Sequence, residues 1–348
     1  MTSIVAAAKV QAEFRYDQTT VKREILRWLH GHPSLLRLAE SFDNALVETR
    51  SSVAPIDWVF RARGLEESNN LYREKASELA TRAAAECLAS AGVRPDQIDL
   101  IVSTSCTGFM IPSVDAVVAE RLGMRRDLRR LPITEHGCAA GVVALSFAND
   151  YLRLHQDQRA LVLAVELPSV TFQPGDRRPE NIISAAIFGD GAAAVLLSGA
   201  PEKGRPSILA SRSVRFANTL DLMGFELKDP GLHIVLSRDI PSVVRREVPQ
   251  VINEFLAGCS LTRRDLSHFL LHPGGRRILD ALEETLGLEP RSLTVSRDVL
   301  RTHGNLSSAT VLVILHEYLE QGLGSEGELG LMAAFGPGFG AELALLRW

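Results

Sequence analysis

Glu135-His136-Gly137-Cys138-Ala139-Ala140-Gly141 is the stretch on which the reading of this chain turns. A single cysteine sits between glycine and small residues, just ahead of the apolar run Val142, Val143, Ala144 and Leu145. The pattern predicts a strand-to-helix junction with the thiol in the first turn of a buried helix. A helix N-terminus carries about half a unit of positive partial charge, which favours a thiolate. A free cysteine of pKa ~8.5 is only a few per cent thiolate at pH 7, so such a junction suits a nucleophile. The alternative is an inert buried cysteine, and residues downstream decide between the two.

Working outward, the chain repeats itself. In the first half, the helix-like Ala83 to Ala91 leads through a polar turn into a strand ending Leu100-Ile101-Val102-Ser103-Thr104. In the second half, Val251 to Gly258 leads through a similar turn into Phe269-Leu270-Leu271-His272. Each is followed by a helical stretch ending in Leu-Gly, at Leu122-Gly123 and at Leu286-Gly287. His136-Gly137-Cys138 then finds its echo in His303-Gly304-Asn305. Apolar helices follow, and then strands running into Phe188-Gly189-Asp190-Gly191 and Phe335-Gly336-Pro337-Gly338. Alternating strands and helices argue for an α/β fold. The repeated order predicts two similar halves, residues 1–205 with Cys138 and residues 206–348 with His272 and Asn305. Pro201 to Pro206 is the candidate linker. A pseudo-twofold arrangement would aim both junction helices at one centre and bring Cys138 and Asn305 together. His272 ends a strand and precedes Pro273-Gly274-Gly275, a place that presents catalytic side chains. Read alone, His272 is a satisfied core histidine and Asn305 a helix N-cap; their matched positions favour chemistry.

The totals narrow the classes. The 348 residues are 46% hydrophobic and 23% charged, with a net charge of -4. That gives no electrostatic case for nucleic acid or an anionic membrane. Cys87, Cys106, Cys138 and Cys259 show no CxxC or zinc-like spacing, so they read as free thiols in a reducing cytoplasm. Met1 to Lys9 lacks the pattern of a signal peptide, and no window approaches the ~18 apolar residues of a membrane span. The polar stretch Gln173 to Asn181 reads as a surface loop. No P-loop or dinucleotide-binding glycine fingerprint is present.

At these residues the chain resembles the thiolase-fold condensing enzymes, and within them the type III polyketide synthases of chalcone-synthase type. The resemblance runs from about Val21 to the C-terminus. It rests on Gly137-Cys138, Phe188-Gly-Asp-Gly-Ala-Ala-Ala194, His272-Pro-Gly-Gly275, Gly304-Asn-Leu-Ser-Ser-Ala309 and Gly336-Pro-Gly-Phe-Gly340, in that order. Ser103 to Pro112 looks like the bacterial branch. The resemblance implies an α/β thiolase-like fold, two pseudo-twofold halves in αβαβα layers, and a homodimer. It implies Cys138 as the acyl-carrying nucleophile, paired with His272 as an imidazolium–thiolate. It also implies that His272 and Asn305 stabilise the enolate formed as malonyl-CoA loses carbon dioxide. Coenzyme A thioesters would be substrates, acyl-CoA as starter and malonyl-CoA as extender. No metal or other cofactor is implied.

Further positions follow from the resemblance alone. Phe188 matches the gate between the CoA tunnel and the reaction cavity; its other reading is a core aromatic before a turn. Thr171, Gly231 and Ser307 match cavity-lining positions, and Cys106 and Thr107 the starter pocket. In chemistry, the favoured reading of Cys106 is an inert small hydrophobe. Ile111 falls in a dimer segment that reaches into the partner's cavity. Of the basic residues that hold CoA phosphates, Arg37 has a match, while the neighbouring positions are Glu40 and Asn44. Arg276 and Arg277 are candidates to compensate, or a solvated charged face. Pro168 stands where relatives carry Thr or Cys. The bacterial-type segment, with small residues at Gly108, Ala185 and Gly224, leads to an expected fatty acyl starter and an alkylpyrone or alkylresorcinol product. The competing expectations are a malonyl-only synthase of a polyhydroxylated aromatic such as tetrahydroxynaphthalene, a ketoacyl-synthase III-like initiator fed by acyl carrier protein, and a non-catalytic scaffold.

Overall fold

The computed structural model describes residues 2–348. Its strands are β1 (Thr2–Gln11), β2 (Phe14–Asp17), β3 (Thr49–Ser52), β4 (Leu100–Thr104), β5 (Arg129–Ile133), β6 (Arg159–Glu166) and β7 (Gly191–Ser198). The later ones are β8 (Ser207–Arg215), β9 (Met223–Lys228), β10 (Gly231–Leu236), β11 (Leu266–Leu271), β12 (Leu329–Gly336) and β13 (Gly340–Arg347). The stretch read above for a signal peptide is thus β1 from Thr2 onward, with Met1 outside the described residues.

Among the described residues, one sheet runs in the order β11-β12-β13-β8-β1-β7-β6-β4-β5. It consists of two half-sheets meeting at a narrow seam, where β1 touches β8 only through Thr2↔Ile208 and Ser3↔Ser207. Outward from the seam on one side, β1–β7 and β7–β6 are antiparallel and β6–β4 is parallel. On the other side, β8–β13 and β13–β12 are antiparallel and β12–β11 is parallel. The same order of senses on both sides is the pseudo-twofold relation expected from the repeat. β5 adds a fifth, parallel strand to the first half.

The layers follow from strand alternation. Side chains on a strand point alternately to opposite faces. Val162, Ala164, Val195 and Leu197 belong to the central core, while Leu161, Leu163, Ala194 and Leu196 belong to an outer core. On β12 and β13, Met332, Ala334, Ala344 and Leu346 face the centre, and Leu331, Ala333, Leu343 and Leu345 face a second outer core. Strands buried on both faces read as continuous apolar runs, which is how β6 and β7 appear in the sequence. The central layer is the helix pair Ala140–Leu154 and Ala309–Glu320, apolar on most sides because both half-sheets cover it. Leu65–Ser90 covers one outer face, and Ile240–Gly258 with Arg276–Leu286 the other. The result is the αβαβα stack.

The two halves differ where the site forms. β12 and β13 are joined through Pro337 to Phe339, whereas residues 167–190 separate β6 from β7 and include the helices Pro168–Thr171 and Pro179–Ile187. Phe188 therefore follows a helix, not the strand expected from the repeat. The Gln173–Asn181 stretch is also not a solvated loop. Gln173, Asp176 and Asn181 are buried. Asn181 Nδ2 donates to the carbonyls of Gln173 and Asp176 at 2.9 Å each, so the polar groups satisfy one another.

Candidate active site

Cys138 lies in a short 3₁₀ turn, Gly137–Ala139, that follows β5 and leads into the helix Ala140–Leu154. The turn is held by close packing that only glycine allows. A Cβ at Gly137 would stand 2.7 Å from Pro337 Cδ, and one at Gly336 would stand 2.5 Å from the His136 carbonyl. A Cβ at Gly141 would stand 2.4 Å from the carbonyl of Ser308, where the two central helices cross. The Gly336–Gly340 loop thus presses on the cysteine turn.

His272 extends the β11–β12 ladder by one residue, its amide donating to Ala333 O at 2.8 Å. The ring is buried and neither nitrogen has a hydrogen-bond partner within the chain. Burial without a counter-charge pushes its pKa down to about 3. Asn305 is fixed from one side only. Its Oδ1 accepts from Ser307 N at 2.7 Å and Thr310 Oγ1 at 3.2 Å. Its Nδ2 makes a long contact of 3.5 Å to Gly274 O, acts on the Cys138 thiol, and keeps donor capacity.

These three side chains stand on the wall of one cavity of about 630 Å³. Ser307, Cys106, Thr107, Thr171 and Phe188 share that wall, as the sequence reading expected. Ser307 Oγ lies 3.6 Å from the sulfurs of both Cys138 and Cys106. Burial pushes the Cys138 thiol up to about 11, while hydrogen bonds from Ser307 and Asn305 pull against that rise. Burial thus acts on both groups in the direction of their neutral forms, raising the thiol and lowering the imidazole.

Other expected positions fall differently. Gly231 does not line the cavity: Gln173 lies over it, with Nε2 2.6 Å from where a Cβ would stand. Gly108 lines the wall but offers no room, because the Tyr72 ring would meet a Cβ there at 2.1 Å. Gly224 and Ala185 both line the wall, and a Cβ at Gly224 would face open space. Pro168 is on the wall as well. Arg37, Arg276 and Arg277 are exposed and outside the wall, with Arg276 3.5 Å from Asp280. Ile111 is 79% exposed and is not part of this chain's own cavity lining.

Comparison with known proteins accords with this geometry. The sequence profile of the chalcone and stilbene synthases matches residues 58–201 with its N-terminal domain and 210–348 with its C-terminal domain. A putative chalcone synthase of Bacillus subtilis (strain 168) is 35% identical over 92% of this chain and 91% of its own length. The 1,3,6,8-tetrahydroxynaphthalene synthase of Streptomyces peucetius subsp. caesius is 35% identical over 100% of this chain and 93% of its own. The chain belongs to the chalcone and stilbene synthase family. The crystal structure of the tetrahydroxynaphthalene synthase of Streptomyces coelicolor A3(2), a bacterial type III polyketide synthase, matches with a TM-score of 0.95 at 30% identity, covering 99% of each chain. This synthase is therefore a type III polyketide synthase, an acyltransferase that works on CoA thioesters by decarboxylative Claisen condensation. No described helix is long and apolar enough to cross a membrane.

Two residues at this site escaped the sequence reading. Glu166 ends β6 fully buried, accepting from Cys106 N at 3.1 Å, Thr107 Oγ1 at 3.0 Å and Ser308 Oγ at 2.5 Å. Burial raises its pKa against these bonds. Its signal was an acid closing the apolar run Leu161 to Val165. Arg50 is buried on β3 and also lines the cavity.

Proposed function

We propose that Cys138, His272 and Asn305 carry an iterative condensation of malonyl-CoA onto a fatty acyl starter, ending in an alkylpyrone or alkylresorcinol. The observation that supports the catalytic part is the placing of all three on one buried cavity wall. The Cys138 proton passes to His272 as the sulfur attacks the acyl-CoA carbonyl, so the two charges arise together and attract each other where either alone is disfavoured. The proton leaves with the CoA thiol. His272, neutral again, and Asn305 Nδ2 then donate to the thioester oxygen of malonyl-CoA. As carbon dioxide departs, that oxygen gains enolate charge, and fixed donors aimed at it supply several kcal/mol. The enolate carbon attacks the acyl thioester, the Cys138 thiolate leaves, and one proton taken from solvent for each carbon dioxide lost restores the thiol. The lengthened chain, now on CoA, reloads for the next round. Side chains and the CoA thioesters suffice for this scheme; it calls on no metal or redox group.

The starter reading draws on the far wall. The β9–β10 hairpin contributes Met223, Phe225, Leu232, Ile234 and Leu236, with the open position at Gly224 among them. Apolar burial is worth about 0.8 kcal/mol per methylene, so an acyl tail gains steadily until the space is filled. A second reading has a specific motive: the matched Streptomyces relatives are tetrahydroxynaphthalene synthases, and a malonyl-only synthase needs no tail site. Competition of acetyl-, hexanoyl- and lauroyl-CoA with malonyl-CoA separates the two. The expected outcome is starter incorporation rising with length. Full turnover on malonyl-CoA alone, with no starter incorporated, replaces the tail reading by the malonyl-only one.

We further read the protein as a homodimer acting in the cytoplasm. Its four cysteines are unpaired, which fits a reducing compartment. Exposed Arg37 and Arg277, which form no ion pair among the described residues, are the candidates to meet CoA phosphates, with Arg276 next to Arg277 in the chain.

A further inference from the structure

We propose that Arg50 is a positioning residue that fixes the gate residue Phe188 and, through it, the catalytic amide of Asn305. The inference rests on the roles given above to Phe188 and Asn305. It starts from the end of the helix Pro179–Ile187. The last carbonyls of a helix lack intrahelical partners, and buried ones must find others. Here each has one. Ser184 O accepts from Phe188 N at 2.9 Å, and Ile187 O accepts from Asn305 N at 2.9 Å. The rest fall to one guanidinium. Arg50 Nη1 donates to Ala185 O and, at 3.0 Å, to Phe188 O. Arg50 Nη2 donates to Ala186 O at 3.0 Å and to Gln18 Oε1, while Gln18 Nε2 donates to Ala186 O at 3.0 Å.

This cluster abuts the reaction centre. Phe188 and Asn305 form a β-bridge, closed by Gly189 N donating to Asn305 O at 3.1 Å. The close approach depends on glycine on both sides. A Cβ at Gly304 would stand 2.8 Å from Ile187 O, and one at Gly189 would stand 2.3 Å from His303 O and 3.1 Å from Arg50 Cβ. The backbone that carries the gate is therefore pinned by Asn305 on one side and by Arg50 on the other. A cation at a helix C-terminus is favoured by the dipole, and the planar fork of arginine reaches several acceptors where an ammonium cannot. Asp190, two residues after the gate, is buried nearby and itself held by Val53 N at 2.7 Å and Ser169 N at 2.8 Å. The carbonyls in the set all belong to the fold, so the role argued for Arg50 is one of position.

The test is Arg50→Lys, with Arg50→Met as a second variant, each checked for native circular dichroism. Hydrogen exchange is read at the amides of Phe188, Gly189 and Asn305, and malonyl-CoA decarboxylation is measured alone and in an Asn305→Ala background. The expected result is faster exchange at those three amides and a roughly ten- to 100-fold loss of decarboxylation, on the scale of a small misplacement of a catalytic group. That loss should vanish in the Asn305→Ala background, because both changes would remove one and the same interaction. Unchanged exchange at these amides overturns the proposal whatever the enzyme makes. Full additivity of the two substitutions overturns it as well. If the wild-type protein fails to decarboxylate malonyl-CoA, the functional reading falls while the exchange result still decides the role of Arg50.

Discussion

At the residue scale, Cys138, His272 and Asn305 share one cavity wall, and the protonation proposed for them is open to direct test. A thiol pushed up to about 11 gains thiolate roughly ten-fold per pH unit below that value. Alkylation of Cys138 by iodoacetamide should therefore keep climbing between pH 7 and 10. A rate that levels off below pH 7 would mean that the resting site already holds the imidazolium–thiolate pair. Asn305 makes a different prediction. Its Oδ1 is occupied by Ser307 and Thr310, which leaves its Nδ2 to fill the proposed role of donor to the enolate oxygen. Asn305→Ala should still accept an acyl group on Cys138 but decarboxylate malonyl-CoA roughly 100-fold more slowly, the scale of losing one oxyanion donor. Equal decarboxylation by mutant and wild type would remove Asn305 from that role. The meeting of Cys138, His272 and Asn305 on one wall was legible because each stands at a junction that sequence signals mark: glycine before a helix, a strand end before Pro-Gly-Gly. Glu166 and Arg50 were not. A buried charge is recognisable only by the partners that satisfy it, and those lie 60 or more positions away for Cys106 and beyond 130 for Ala185.

At the element scale, the crossing of the two central helices sets the distance between the halves of the site. Gly141 meets the Ser308 carbonyl, and Ser308 directly follows Ser307, whose hydroxyl faces the Cys138 sulfur. Gly141→Ala would place a Cβ 2.4 Å from that carbonyl and 2.8 Å from Val311 Cγ1, in a layer with no slack. The expected cost is about 1–3 kcal/mol, as for other overpacked cores. Urea unfolding should show a lower midpoint at unchanged slope. An unaltered midpoint would mean that the helices separate freely, and that Gly141 is not what fixes the crossing. The helix–turn–strand repeat and its order were readable, since both halves use the same apolar periods and the same Leu-Gly stops. The segment between β6 and β7 was misread for a physical reason. Its polar residues look solvated in sequence, yet Asn181, Gln173 and Asp176 satisfy one another and stay buried. The same segment carries Gln173 over Gly231, which removes from the cavity wall a position that resemblance alone had placed there.

At the scale of the whole molecule, the halves match strand for strand except at one edge. β5 extends the first half-sheet, and its residues Arg129 to Pro132 are exposed. An open edge with apolar side chains is a liability that proteins cover. Of the ten large apolar residues left exposed among the described residues, Phe109, Ile111, Leu131, Phe147 and Leu154 fall in the stretch of chain from β4 to β6 that also carries the cysteine turn. Phe109 also lines the cavity, although it is 68% exposed, so whatever covers this face touches the wall of the reaction chamber. Scattered apolar residues are ordinary on a surface, but a set gathered in one segment beside an open edge is an interface signature. A second copy meeting the first about a twofold axis would cover it on both chains with a single self-complementary patch. Sedimentation at micromolar protein should therefore give a mass near twice the 38.0 kDa of the chain. The double substitution Leu131→Asp with Phe147→Asp should yield folded monomers, because a buried unpaired carboxylate on each side of a twofold interface is costly. Those monomers should also lose chain extension while native circular dichroism persists. A wild-type protein that sediments as a monomer and still extends chains would remove the dimer from the account, and Ile111 would then be a solvent-exposed loop residue with no part in the cavity.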